Sequence, residues 1–173
     1  PEALVEWALE SRYPFVLLAD INSTGAVLSF VRSAQEKGVK AVVGVELRND
    51  MELKATIIAR NNRGFHELNV LLSRYLHGKI DFPDRIPHLS NCYISYPFPG
   101  PKHKLKENEY IDIQLFNISN INLKLNKLHR NKLLVLPAMS FRHQRDYNTH
   151  RLLRAMHYNT LLSKLEDAQC DRG

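Results

Sequence analysis

The sequence predicts an α/β fold built on a largely parallel sheet. Three observations predict it: short continuous apolar runs of the kind that bury a strand on both faces, helical periodicity between them, and turn-forming residues at the junctions. At 173 residues the chain can bury one proper core but not two comfortable ones, so residues 1–173 are expected to form a single domain.

The elements follow in order. Residues 2–11 carry Leu4, Val5, Ala8 and Leu9 at helical spacing, after Pro1 at a first helical position. A start directly on a helix raises the expectation of further chain upstream. Phe15 to Ala19 form an apolar run ending at Asp20. A helix is expected from about Thr24 to Lys37, closed by Gly38. Ala41 to Val45 make a second buried strand ending at Glu46, and Ala55 to Ala59 a third. Asn61-Asn62-Arg63-Gly64 turns into a helix through Tyr75, and the Pro-rich stretch 77–91 reads as loop. Tyr93 to Tyr96, Tyr110 to Gln114 and Leu133 to Leu136 are further strands, with a helix over 119–129. Residues 143–158 form an amphipathic helix with Leu152, Leu153 and Met156 on one face.

In such folds functional groups gather at the carboxyl ends of the strands. Asp20 and Glu46 are therefore the first candidate site residues. The net charge is +6, and the excess lies late: Lys124, Lys127, Arg130 and Lys132 follow one another with no acid between them. Such a run suits either a solvated basic face or a phosphate track, so these four are candidate nucleic-acid contacts. Arg142, Arg145, Arg151 and Arg154 extend it, but little aromatic interleaving appears there for stacking on single strands.

Two distant cysteines, Cys92 and Cys170, exclude a CxxC metal or redox motif and predict a reducing, cytoplasmic setting. No apolar run approaches the ~20 residues of a membrane span. There is no Rossmann fingerprint, P-loop or G-x-S-x-G elbow. His66-Glu67 opens like H-E-x-x-H, but position 70 is Val70. His143, His150 and His157 recur every seven residues on one helix; a rise of about 10.5 Å between them keeps them from sharing a zinc ion, whose ligands sit at about 2 Å.

Several segments together resemble a known family. Pro1 to Arg48 reads P-E-A-L-V-E-W-A, F-V-L-L-A-D-I-N and G-V-K-A-V-V-G-V-E-L-R. It is similar to the opening of the PHP domain in bacterial DNA polymerase III alpha subunits, where one strand ends in T-D-H and a later one in G-x-E. Ala55 to Phe65, with Ala59-Arg60-Asn61-Asn62-Arg63-Gly64 at its centre, resembles the family's LLAKNNxGY signature. Asp146 to Leu153 resembles the D-x-x-x-H-x-x-L helix that closes the domain, here residues 143–165. The resemblance implies a distorted (β/α)7 barrel of largely parallel strands, whose H-x-H first strand would precede Pro1. It also implies a cluster of divalent ions at the carboxyl ends of the strands, where a metal-bound water attacks a phosphoester.

Carried over position by position, the resemblance keeps few ligands. Asp20 and Glu46 retain carboxylates. The family's histidines fall on Ile21, Lys54 and Ser140, and its late aspartate on Ala138. Two donors of six cannot build a multinuclear cluster, so the expectation is no cofactor, or at most a loosely held hydrated Mg²⁺. Asp20, Glu46 and Lys54 are then vestigial metal-site positions. Lys54 either replaces the metal's positive charge between the two carboxylates or faces solvent. The resemblance implies a domain of a replicative polymerase subunit with a structural role. Its partners would be the rest of that subunit, DNA through the parent protein, and a proofreading exonuclease. The competing reading is a metal-dependent phosphoesterase or 3′–5′ exonuclease.

Overall fold

The computed structural model describes residues 1–113, 131–136, 141, 143–166 and 170. The helix expected over 119–129, Lys124, Lys127, Arg130 and Arg142, and the segment from Pro137 to Ser140 lie outside the described residues. The chain divides into two compact units, Pro1–Val135 and Leu136–Gly173.

The first unit runs α1 (Glu2–Glu10), β1 (Phe15–Ile21), α2 (Val27–Glu36), β2 (Lys40–Asn49), β3 (Glu52–Ala59), α3 (Asn62–Gly78), β4 (Cys92–Pro97), β5 (Glu109–Ile113) and β6 (Leu133–Val135). The strands lie in the order β1-β2-β3-β4-β5-β6 in one sheet, curled into a half-barrel. β1–β2, β4–β5 and β5–β6 pair parallel, while β2–β3 and β3–β4 pair antiparallel. Five of the six described strands therefore share one direction and β3 alone is reversed, as a largely parallel sheet requires.

The reversal of β3 changes one expectation. β2 does not stop at Glu46 but continues to Asn49, where Asp50 at φ 51° opens a two-residue turn into β3. An antiparallel partner needs only a hairpin turn, whereas a parallel one needs a crossover of a dozen residues. Glu46 thus lies inside a strand, three positions before its end.

The helices cover one face of the sheet. Val5 and Ala8 of α1 and Phe30 and Ala34 of α2 pack with Val16 and Val39. Leu68, Leu71 and Leu72 of α3 pack against Val45, Leu47, Ala55, Ile57 and Ile94. Each such fully buried aliphatic side chain contributes about 1.5–3 kcal/mol.

α3 begins where Asn61, in extended conformation, accepts a hydrogen bond from the Gly64 N–H at 3.0 Å. Leu68, Leu71 and Leu72 then fall on one stripe at i, i+3 and i+4 spacing, and Lys79 ends the helix in left-handed conformation at φ 50°. At Gly64 the helix meets the start of β4: a Cβ there would lie 2.1 Å from the Asn91 carbonyl oxygen and 2.9 Å from its carbon. Only glycine permits that approach.

In the second unit α4 spans Gln144–His157. Its first turn is fixed by Asp146 Oδ2, which accepts from the His143 N–H at 3.2 Å. The helix buries Ala155 against Leu165 and Cys170, because the short 3₁₀ turn Leu162–Lys164 returns the chain to that side. Leu152, Leu153 and Met156, the face expected to be covered, are 52%, 58% and 69% exposed. His150 packs on Phe141 with ring centres 5.0 Å apart, and His157 on Tyr158 at 5.1 Å.

The Gly64–Asn91 contact makes stability measurable at one atom. Gly64→Ala is expected to lower the unfolding free energy by about 1–3 kcal/mol through overpacking, and Asn61→Ala by ~1 kcal/mol through loss of the cap. Urea denaturation followed by circular dichroism checks both.

Candidate functional site

Register decides which side chains share a face. Residues paired across adjacent strands point to the same side, and the side alternates along each strand. Asp20 pairs with Val45, and Ile21 with Glu46. Val45 belongs to the helix-covered core, so Asp20 lies on the helix side of the sheet. Ile21 and Glu46 share the opposite, inner face. The two carboxylates read together in the sequence are therefore on opposite faces, and the neighbour of Glu46 on β1 is an isoleucine that is 55% exposed.

Glu46 has a partner on its own strand. Two residues on, Arg48 directs Nε and Nη2 to Glu46 Oε2 at 2.9 and 2.7 Å. Both side chains are largely buried, at 17% and 18% exposure. A guanidinium stays charged at any ordinary pH and offers no lone pair to a cation, so it occupies the carboxylate permanently.

The D-I-N segment supplies the support for this pair. Asn22, in left-handed conformation at φ 51°, donates from its backbone N–H to the Glu46 carbonyl at 2.9 Å. Its side chain accepts from the Arg48 N–H at 2.9 Å and donates to the Arg48 carbonyl at 2.8 Å. The side-chain amide thus extends the β1–β2 ladder by one rung. Asn49 does the same for the loop after α3, exchanging two 2.9 Å hydrogen bonds with the Phe82 backbone. Sequence reading missed both asparagines; an asparagine after a buried run was the available signal, since its amide imitates a peptide group.

Lys54 does not stand between Asp20 and Glu46. Its Nζ binds Glu52 Oε1 at 2.7 Å and Asp84 Oδ1 at 2.9 Å. The hydrogen bonds it donates to Glu52 and then to Asp84 raise its pKa, and the lysine in turn lowers that of Asp84. The lysine side chain is 13% exposed, but its two acids are 69% and 90% exposed, so the trio ties a loop to β3 at the surface. The physical reason for the departure is local. The β2–β3 register shifts at Leu47/Arg48, which leaves Lys54 opposite no β2 residue, while Arg48 already fills the place beside Glu46.

The inner face holds one further carboxylate that sequence reading passed over, Asp112, in register with Pro97 of β4 and Leu134 of β6. β2 and β5 are separated by β3 and β4, about 14 Å along the sheet at the usual strand spacing. Among the described residues no three His, Cys, Asp or Glu side chains converge.

The signature around Asn61 and Gly64 lies at the other end of the sheet. Asn91 joins three elements there. Its carbonyl accepts from the Arg60 N–H at 3.0 Å, and its backbone and side-chain nitrogens donate to Glu67 of α3 at 3.0 and 2.7 Å. Those bonds, the backbone one first, lower the Glu67 pKa below its ordinary 4.5. Cys92 beside it is buried, which pushes its thiol up to about 12. Lys132 reaches the Glu107 carbonyl at 2.6 Å and lies 5.0 Å above the Tyr110 ring. No helix among the described residues is long and apolar enough to cross a membrane.

No family model matches the chain. The DNA polymerase III alpha subunit of Streptococcus pyogenes serotype M3 is 22% identical over 173 residues, which cover 96% of this chain and 16% of that protein. The alpha subunit of Buchnera aphidicola is 30% identical over 80 residues, 43% of this chain and 7% of that protein. The chain is distantly similar to DNA polymerase III alpha subunits. It spans about a sixth of the length of the streptococcal proteins it matches.

Two measurements test this geometry. Glu67 has a lowered pKa, so its contribution to stability is present above the ordinary carboxyl value of 4.5 and is lost as pH falls through and below it. Glu67→Gln is expected to flatten the acid limb of the urea-midpoint profile. Cys92, with a thiol pKa of about 12, is expected to resist alkylation at about pH 8 until the chain is unfolded, as peptide mass mapping after iodoacetamide treatment would show.

Proposed function

We propose that this chain is a PHP domain of a DNA polymerase III alpha subunit acting in DNA replication, with a degenerate metal site and a structural role. The reading rests first on similarity that runs in order along 96% of the chain, and it fits a curled, largely parallel sheet with helices on one face. A distorted seven-stranded barrel would complete that half-barrel.

The observation that carries the loss of chemistry is the Glu46–Arg48 pair. A metal-dependent phosphoesterase needs several anionic or imidazole donors to offset the repulsion between neighbouring dications. Here the retained glutamate is held by a fixed cation at 2.7 Å, the residue in register with it is Ile21, and Asp20 lies on the other face. A dication placed there would meet a guanidinium, an alkyl side chain and a single carboxylate. The rim keeps its shape by hydrogen bonds and ion pairs, which suits a domain retained for its surface rather than for turnover. That surface would pack against the remainder of the subunit and dock a proofreading exonuclease.

The test uses the intact protein. Equilibrium dialysis against Zn²⁺, Mn²⁺ and Mg²⁺ is expected to find no tight site that Glu46→Gln abolishes. Primer extension by Glu46→Gln is expected to stay within about twofold of wild type, since glutamine keeps the shape of the side chain and an oxygen that accepts from Arg48. Metal-dependent hydrolysis of a phosphoester or single-stranded DNA that disappears in Glu46→Gln would establish the phosphoesterase reading instead.

A further inference from the structure

The amino-terminal end of the sheet, opposite the rim just described, gathers side chains that the sequence scatters over 70 positions. Tyr93 is the second residue of β4 and Tyr110 the second of β5, Lys132 immediately precedes β6, and Arg60 follows the reversed strand β3. The register places Tyr93 and Tyr110 on the inner face, since their strand neighbours Ile94 and Ile111 point into the core. The two rings meet edge to face, with centroids 5.9 Å apart and planes at 71°. Each carries a cation on its face: the Arg60 guanidinium lies 5.0 Å from the Tyr93 centroid and the Lys132 ammonium 5.0 Å from that of Tyr110. With Lys106, Asn108 and His88, Arg60 and the two tyrosines line an open cleft of about 410 Å³, and Lys132 lies beside it over Tyr110.

We propose that this cleft binds single-stranded nucleic acid, stacking an unpaired base on the Arg60–Tyr93–Tyr110 platform and drawing its phosphates to Arg60, Lys106 and Lys132. Three features favour this occupant. Neither Arg60 nor Lys106 has a carboxylate partner among the described residues, so their charge is available to phosphate. A guanidinium over a tyrosine ring, 5.0 Å from its centroid, and the rings themselves are surfaces on which bases stack. The volume is that of a small-ligand cleft, which admits one extruded base and not a duplex.

The cleft is also held in shape. Asn108 donates both side-chain hydrogens, to the Leu89 and Cys92 carbonyls at 2.8 Å each, which fixes the loop before β5 against the start of β4. Glu107 is the sole carboxylate in the lining, and it directs a phosphate towards the Arg60 and Lys106 side. Stacking with modest sequence preference and steep salt dependence is the behaviour such a site has elsewhere. No metal enters the argument, so the proposal stands or falls independently of the state of the Glu46 rim.

The experiment uses the intact protein and two probes, a short fluorescent oligothymidylate and the same oligomer carrying 5-iodouracil. Ultraviolet cross-linking of the second probe, followed by digestion and mass mapping, is expected to mark peptides containing Tyr93 or Tyr110. In fluorescence anisotropy the double variant Tyr93→Ala/Tyr110→Ala is expected to weaken binding roughly 10-fold or more, while Tyr93→Phe/Tyr110→Phe retains it. Arg60→Ala, an exposed change that serves if the tyrosine variants fail to fold, is expected to reduce the slope of log affinity against log salt by about 0.7. Cross-links confined to other regions would overturn the proposal. So would equal affinity of wild type and folded Tyr93→Ala/Tyr110→Ala, an unchanged salt slope in Arg60→Ala, or equally tight binding of a duplex.

Discussion

The first unit hangs on the contact between Gly64 and Asn91. A helix must start, a strand must end and another must begin within a few ångströms, and a methyl group at position 64 would fall 2.1 Å from the Asn91 oxygen. Around that contact Asn61 caps α3, Glu67 holds both nitrogens of Asn91, and the Arg60 N–H closes the end of β3. The orientation of α3 on the sheet follows, and with it the packing of Leu68, Leu71 and Leu72 over Ile57 and Ile94. The stretch from Arg60 to Glu67 is thus a device for joining elements. It needs small and amide side chains for geometric reasons and says nothing about catalysis.

The two ends of the sheet have taken different chemical courses. At the carboxyl end, charges are internally cancelled: Arg48 on Glu46, and Lys54 on Glu52 and Asp84. Asparagine side chains there stand in for missing ladder bonds. The ion pairs give the Glu46 and Lys54 charges their partners within the protein. At the amino end, cations are held by aromatic faces rather than by acids, which leaves their charge directed outward. The same inner face therefore ends in a neutralised rim on one side and a cationic, aromatic one on the other.

The chain is distantly similar to polymerase alpha subunits, and among the described residues no three His, Cys, Asp or Glu side chains converge. A fold can outlast a particular chemistry when its core and outer surface are still used, and an isoleucine at position 21, 55% exposed, disturbs neither. The core residues here are ordinary aliphatics at the positions their strands and helices demand.

Sequence alone determined the fold class and most elements. β1, α3, β4 and β6 fall within a few residues of where apolar runs, the Asn61 cap and helical spacing put them, because those signals are local. It also determined that position 21 carries no donor atom. Only the tertiary structure decided which residues meet. The reversal of β3 and the β1–β2 register separated Asp20 from Glu46 and gave Glu46 to Arg48, since a one-residue offset exchanges the faces of a strand. The exposure of Leu152, Leu153 and Met156 turned on where the chain returns after α4, which periodicity does not encode. Tyr93, Tyr110, Arg60 and Lys132 came together through strand pairing across distances that no sequence window spans, so aromatic rings that appeared absent from the basic run proved to lie beneath one of its lysines.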